Sequence, residues 1–499
     1  MHYTCSSYAL THPSPPEYHK PSTCRRLRAA PTRDQGAETR TIMTSDATAL
    51  LQTKNGGRFG RALRKEFLFE EGYVNLNHGS FGTYPRAIRD VFRTFQDAHE
   101  ARPDDFIRYQ YPKHNDEARQ ALSKYLDVPT RELVFVPNAT TGINTVLRSL
   151  IFAPNEYILY GASIYDACEK AVAYVTETTP ARAARIEYAF PVEDEWLVSA
   201  FAAKMDEIER GGGKVRVAVF DTVVSIPGVR LPFERIVQVC RDRGVLSLVD
   251  GAHGIGHVPL NLRALDADFF VSNCHKWLHV PRGCAIFHVP LRNQPLIRST
   301  LPTSHGFVPS PSAQLPAPKN PPPTANASKS DFELNFEFVG TIDASSYLCV
   351  SAALAWRESI GGEDTIIRYN QTLAKHGAKR MAEILGTEVM DNETQTLTRC
   401  CMANVALPLD AKRMHEIGAR AGLEEGEIGN AIRTWMVRTW IDDYKTFMQS
   451  MFYDGRWWVR MSGQVYLEIE DFEWAAGVVK EICARAEKGD WAVKAKARL

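Results

Sequence analysis

Between residues 130 and 290 the chain alternates short apolar runs with amphipathic stretches of helical length. Lys214–Val223 (KVRVAVFDTV) is rich in Val and Phe and predicts a buried strand. A helix over Pro232–Arg243 follows, with proline well placed in its first turn. Val245–Val249, Asp268–Val271 and Cys284–Val289 predict further strands, and LVFV at 133–136 another that runs into a helix at Asn138. Strands separated by helices of this length imply a mostly parallel sheet covered on both faces. Farther on, the pattern predicts helices over Ser346–Ser359 and Asp364–Leu385 and strands over Ala403–Leu407 and Trp457–Met461. A last helix over Phe472–Glu487 completes a second, smaller α/β region.

Two stretches break the pattern. Residues 1–45 are rich in Pro, Ser, Thr and Arg, with Arg25, Arg26, Arg28 and Arg33 opposed only by Glu17, Asp34 and Glu38. That composition suits a mitochondrial transit peptide, but Pro13, Pro15 and Pro16 oppose the amphipathic helix such a signal needs. A disordered leader is expected, Met43 offers a second start, and the cytoplasm is the expected compartment. Residues 308–330 are too proline-dense for helix or strand and predict a surface loop within the fold. The expected organisation is a leader (1–45), an N-terminal segment (46–75), a large cofactor-binding domain (76–307), the Pro-rich loop (308–330), a short segment (331–345) and a small C-terminal domain (346–499).

Composition narrows the function. With 499 residues, 44% of them hydrophobic, the chain holds a large core. Lys plus Arg and Asp plus Glu are both 59, which argues against a nucleic-acid partner. The ten cysteines contain no C-x-x-C pair, so neither a disulfide framework nor a metal site is expected. No apolar run approaches the roughly 18 residues that span a bilayer, and no membrane partner is expected.

Three motifs sit where ligands of open parallel sheets bind, beyond the carboxyl ends of strands. Asp250 closes the strand LSLV and is followed by Gly251-Ala252-His253; a turn former explains it as well. Asn273-Cys274-His275-Lys276-Trp277 ends the strand ADFFVS, where a lysine is also an ordinary surface residue. Asn138-Ala139-Thr140-Thr141 opens a helix, and plain N-capping accounts for Asn138. Together they suit pyridoxal 5'-phosphate (PLP), which needs an amine, an acid beside its pyridine nitrogen and an anion site for its phosphate. Lys276 supplies the amine, Asp250 the acid, and the Ala139-Thr140-Thr141 turn the N–H groups and hydroxyls of a helix N-terminus.

At this point the chain resembles the class V aminotransferases, PLP enzymes of fold type I. It looks most like fungal hercynylcysteine sulfoxide lyases, and is also similar to isopenicillin N epimerase-like proteins and cysteine desulfurases. The stretches that carry the resemblance include NLNHGSFGTYPRAIRD, SLVDGAHGIGH, DADFFVSNCHKWLHVPRGCAIFHV, FEFVGTIDASSYL and RWWVRMSGQVYLEIEDFEW. They span about residues 60 to 480. The resemblance implies a homodimer with Lys276 bound covalently to the cofactor. His253 is then expected at the phenolic oxygen, Tyr165 stacked on the ring, Ser225 beside it, and Asn273 and His275 near the phosphate. Gly340-Thr341 is expected to reach the partner subunit's phosphate. Arg460 is expected on the carboxylate of an amino-acid substrate, with Asn77, His78 and Ser80 closing over it. Asp166 stands where a glycine is usual in the relatives, which puts the local loop in doubt.

Cysteine placement points within the family. A desulfurase needs a nucleophilic Cys on a mobile loop, yet Cys349, Cys400, Cys401 and Cys483 fall in apolar helix or strand patterns. Cys168, three residues after Tyr165, is the cysteine nearest the expected chemistry, either receiving sulfur or packing as a small thiol. The implied reaction is β-elimination from hercynylcysteine sulfoxide, releasing the sulfenic form of ergothioneine, pyruvate and ammonia. Racemase, aminotransferase and desulfurase activities are the alternatives.

Overall fold

A computed structural model describes residues 59–299, 301–309 and 328–492. The expected leader and most of the Pro-rich loop, residues 310–327, lie outside the described residues. The sheet has seven strands: β1 (Leu133–Val136), β2 (Glu156–Gly161), β3 (Arg182–Ile186), β4 (Lys214–Asp221), β5 (Leu246–Asp250), β6 (Phe269–Ser272) and β7 (Ala285–His288). Their order across the sheet is β1-β7-β6-β5-β4-β2-β3. Only β7 runs against the others, antiparallel to both β1 and β6.

Both faces of the sheet are buried, which is why its strands read as continuous apolar runs rather than alternating ones. Val217 and Val219 pack in one apolar cluster and Ala218 and Phe220 in the other. The strands foreseen in the sequence lie within a few residues of their expected bounds. β2 and β3 were not foreseen. β3 (RAARI) is an edge strand with only its last residue buried, so it carries no apolar run to read.

Four helices meet the carboxyl edge of the sheet: α1 (His78–Phe81), α2 (Ala139–Ser149), α3 (Asp166–Thr178) and α4 (Cys274–Trp277). The second region has an antiparallel sheet of β8 (Met402–Ala406), β9 (Gln449–Tyr453) and β10 (Arg456–Ser462), in the order β9-β10-β8. Helices α5 (Glu363–Leu385) and α6 (Glu425–Tyr444) pack on it, and α7 (Ile469–Glu487) packs on both of them. The helix expected over Ser346–Ser359 is instead two, Ser345–Leu348 and Val350–Ser359, with Cys349 at the join. Residues Val74–Asn75 pair in parallel with Thr446–Phe447, and Ser462 N–H donates to the Leu76 carbonyl at 2.8 Å. These contacts carry α1 from the N-terminal side onto β10.

The N-terminus of α2 is held close to the sheet by Gly142. A Cβ there would lie 2.6 Å from Val271 Cγ1 on β6. Gly142→Ala should therefore lower stability by about 1–2 kcal/mol, because overpacking against a strand side chain outweighs the better helix propensity of alanine. Combining it with Val271→Ala should give less than the sum of the two single losses. Denaturant unfolding of all three variants measures this.

Candidate active site

Lys276 follows β6 in the single-turn helix α4 and is half-buried. Its Nζ lies 3.1 Å from His253 Nε2. The other ring nitrogen, His253 Nδ1, accepts the indole N–H of Trp277 at 3.1 Å. An indole nitrogen only donates, so a neutral His253 carries its proton on Nε2. Nε2–H can then donate to Lys276 only once that side chain is a free amine, the form that predominates above about pH 8. Burial is also the main cause that lowers Lys276 to about 8, against the opposing pull of Asp250. His253 itself lies well below the ordinary histidine value, through burial and then Lys276.

The backbone around Lys276 is tied down from three sides. His78, fully buried in α1, donates from Nε2 to the Lys276 carbonyl at 2.8 Å and accepts the Tyr466 hydroxyl at Nδ1 at 3.0 Å. Both ring nitrogens of His78 are thus engaged with protein groups, and through Nε2 it fixes the backbone of the lysine. Gly82, at φ +63, passes against the His275 carbonyl with no room for a Cβ. Arg357 donates to the Trp277 carbonyl at 2.8 Å and to His279 Nδ1 at 3.0 Å, and is paired with Glu363 at 2.6 Å. Sequence reasoning missed Arg357. Its only signal was an arginine on the otherwise apolar stretch AALAW.

Asp250, 2% exposed, ends β5 as expected. Its Oδ1 accepts the Ala252 N–H at 2.9 Å and its Oδ2 accepts the Cys168 thiol at 3.2 Å. Asp221, also missed, ends the neighbouring strand and is its register partner. The signal was legible, since it closes the apolar run KVRVAVF in the way Asp250 closes LSLV. Tyr165 is the residue preceding α3, 47% exposed, and Asp166 opens that helix, where an acidic side chain suits the dipole.

The helix N-terminus expected to hold an anion is partly used by the protein itself. Asn273 Oδ1 accepts the Ala139 N–H at 2.8 Å, and Asn138 Oδ1 accepts the N–H and hydroxyl of Thr141 at 2.8 and 3.0 Å. The Ala139 N–H and the Thr141 N–H and hydroxyl are thus already used within the turn, while the Asn273 side chain is engaged only through Oδ1. Among the described residues, the N–H and hydroxyl of Thr140 have no partner. His275 donates from Nδ1 to the Cys284 carbonyl at 2.9 Å, and burial lowers it to about 4. An amine, a buried acid and an open helix N-terminus therefore remain at one sheet edge, and they fit PLP.

Arg460 on β10 is 1% exposed, yet among the described residues no carboxylate pairs with it. Its Nη2 donates to Asn77 Oδ1 and Ser80 Oγ, both at 2.8 Å, and its Nη1 to the Ser225 carbonyl at 2.5 Å. Its Nε has no partner. Burial lowers it to about 10. A desolvated, unpaired guanidinium is costly and is a ready seat for an anion. Ser225 thus meets Arg460 through its backbone. Thr341 is exposed and lines a small cavity of about 30 Å³ with Phe106, Tyr111, Phe338 and Tyr347, none of which belongs to the groups above.

The lowered Lys276 value has a stability consequence. In the cofactor-free protein, the cost of burying the ammonium is fully present below pH 8. It is relieved as pH rises from about 8 toward the unfolded value of 10.5. Lys276→Met should remove this component, stabilising the cofactor-free protein below pH 8 by up to about 3 kcal/mol relative to wild type. The difference should close by pH 10.5, as read by denaturant unfolding across that range.

The comparisons with known proteins agree with this geometry. Residues 107–424 match the model of the family described as aminotransferase class-V. The chain is 36% identical over 439 residues to the L-cysteine desulfhydrase-like protein lolT1 of Epichloe uncinata, covering 85% of this chain and 96% of that one. It is 27% identical over 426 residues to hercynylcysteine sulfoxide lyase of Schizosaccharomyces pombe, covering 85% and 98%. A solved structure of C-DES with glycine covalently linked to its PLP cofactor superposes with a TM-score of 0.67 at 16% identity, covering 84% of this chain and 98% of that one. That likeness carries the fold. The chain belongs to the class V aminotransferase family of fold-type-I enzymes, and its cofactor is pyridoxal 5'-phosphate.

Proposed function

We propose that this protein is a carbon–sulfur lyase that breaks the Cβ–S bond of an S-substituted L-cysteine by β-elimination. One observation carries the reading: a buried Arg460 with an unpartnered Nε and a Lys276 Nζ held 3.1 Å from His253 Nε2 occur together in a chain of this family. The first seats an α-carboxylate; the second takes a Cα proton. Bound PLP supplies an electron-withdrawing ring linked to the substrate nitrogen. Asp250 holds a negative charge beside the ring nitrogen and so keeps that nitrogen protonated. Thr140 donates to the phosphate from its N–H and hydroxyl. His253, donating from Nε2, orients Lys276 Nζ and then serves the ring oxygen. Arg460, aimed by Asn77, Ser80 and the Ser225 carbonyl, holds the carboxylate so that the Cα–H faces Lys276.

The substrate proposed is hercynylcysteine sulfoxide, with ergothioneine (through its sulfenic form), pyruvate and ammonia as products. The similarity to the fission-yeast lyase supports that choice. The alternative is L-cysteine itself with release of sulfide, favoured by the greater identity to the desulfhydrase-like relative. A sulfoxide is the better leaving group, because a sulfenate is a more stable anion than an alkyl thiolate. Pyruvate and sulfide release should be measured against hercynylcysteine sulfoxide, other cysteine S-conjugates and L-cysteine. Pyruvate from the sulfoxide alone supports the first reading, sulfide from L-cysteine the second, and racemisation or amino transfer without pyruvate removes both. Lys276→Ala should abolish turnover. Arg460→Ala should raise KM by roughly tenfold to a hundredfold, with a smaller effect on kcat.

We infer further that the active unit is a homodimer in which Thr341 serves the partner subunit's phosphate. Its exposure, and a pocket lining that includes none of its own chain's Lys276 group, support this. Mixing inactive Lys276→Ala and Thr341→Arg proteins should then restore activity through one intact site per heterodimer. No recovery despite demonstrated subunit exchange would remove the inference.

A further inference from the structure

Asp221 and Asp250 are register partners at the ends of adjacent parallel strands. Strand alternation turns both to one face. Val217 and Val219 precede Asp221, and Leu248 precedes Asp250, in the apolar cluster that also contains Cys168. The two carboxyls are 4% and 2% exposed, in the layer between the sheet and α3. Carboxyls side by side in so dry a place do not both ionise. One must keep its proton, and a protonated ring nitrogen requires that the charge be on Asp250.

The donors distinguish the two. Asp250 receives the Ala252 N–H on one oxygen and the Cys168 thiol on the other, both of which favour the charged form. Among the described residues, the Asp221 carboxyl is reached only by its own N–H. Burial, and then Asp250, push Asp221 well above the usual carboxylate range. Asp250 is raised as well by burial, but Ala252 and Cys168 oppose the shift. The thiol is fit to remain a donor: burial and the two carboxyls hold Cys168 well above the ordinary thiol value, so it stays S–H.

We propose that Cys168 is a positioning residue whose thiol hydrogen bond fixes the carboxyl plane of Asp250 and keeps the negative charge on Asp250 rather than Asp221. The proposal rests on Asp250 serving the cofactor nitrogen, and it assigns Cys168 a role other than receiving sulfur. In such a role only the donated hydrogen matters. Serine should therefore substitute, which no sulfur-accepting function permits.

Infrared spectroscopy of the full chain stripped of cofactor tests the bond directly. The S–H stretching band isolated by subtracting the Cys168→Ser spectrum should sit at the lowered frequency of a hydrogen-bonded thiol. It should move to the free-thiol position in Asp250→Ala. A protonated-carboxyl band should disappear in Asp221→Asn and persist in Asp250→Asn. In the cofactor-loaded enzyme, Cys168→Ala should weaken PLP affinity and lower kcat by roughly tenfold each, with KM unchanged, while Cys168→Ser stays within about threefold of wild type. A free-thiol band indifferent to Asp250, or a serine variant as impaired as the alanine variant at native stability, would overturn the proposal. Wild-type protein that binds no PLP would instead remove the functional reading, and the infrared bands would still decide whether Cys168 holds Asp250.

Discussion

The hydrogen-bonded line Trp277–His253–Lys276 organises the centre of this molecule. An indole N–H has no alternative but to donate, so it dictates which nitrogen of a neutral His253 carries the proton, and that proton favours the free-amine form of Lys276. A lysine in water is an ammonium at neutral pH and is useless as a nucleophile or base. Here burial and one forced tautomer oppose its charge together. Because the line is short and directional, it works only if the loop after β5 and the helix after β6 keep their relative places.

Much of the surrounding architecture does that holding. Buried Arg357, from the second region of the chain, pairs with half-buried Glu363, and its guanidinium binds the Trp277 carbonyl and His279. His78 reaches the Lys276 carbonyl from the opposite, N-terminal side. A buried charge with its partners satisfied is a strong geometric constraint even where its net stabilisation is small. Arg460 is the counter-example. It is buried with neutral partners and one orphaned nitrogen, so its charge has no counter-ion among the described residues. The same reasoning separates the two aspartates: Asp250 has donors that favour its charge and Asp221 does not.

The central sheet was legible because both its faces are buried, leaving apolar runs such as VAVF and SLV that turn residues punctuate. The edge strand β3 was not, because exposure on its open side removes the pattern. Lys276 and Asp250 were legible because a polar residue ending such a run lies where sheet ligands bind. Roles that depend on partners distant in the chain were not. Sequence cannot show that Asn273, 134 residues after Ala139, takes the latter's N–H. Nor can it show that His78 uses both nitrogens within the protein.

The amino-acid sequence by itself determined the α/β layering and the family, and placed Lys276 and Asp250 at the ends of strands, because these are properties of local pattern and of residue type. Tertiary structure alone decided protonation and partnership. It settled which carboxyl of the pair has hydrogen-bond donors, which histidine is spent on the backbone, and which arginine is left without a counter-charge. The physical reason is that charge state and hydrogen-bond satisfaction depend on burial and on groups brought together from hundreds of residues apart. Asn77 and Arg460, separated by 383 positions and 2.8 Å, are such a pair.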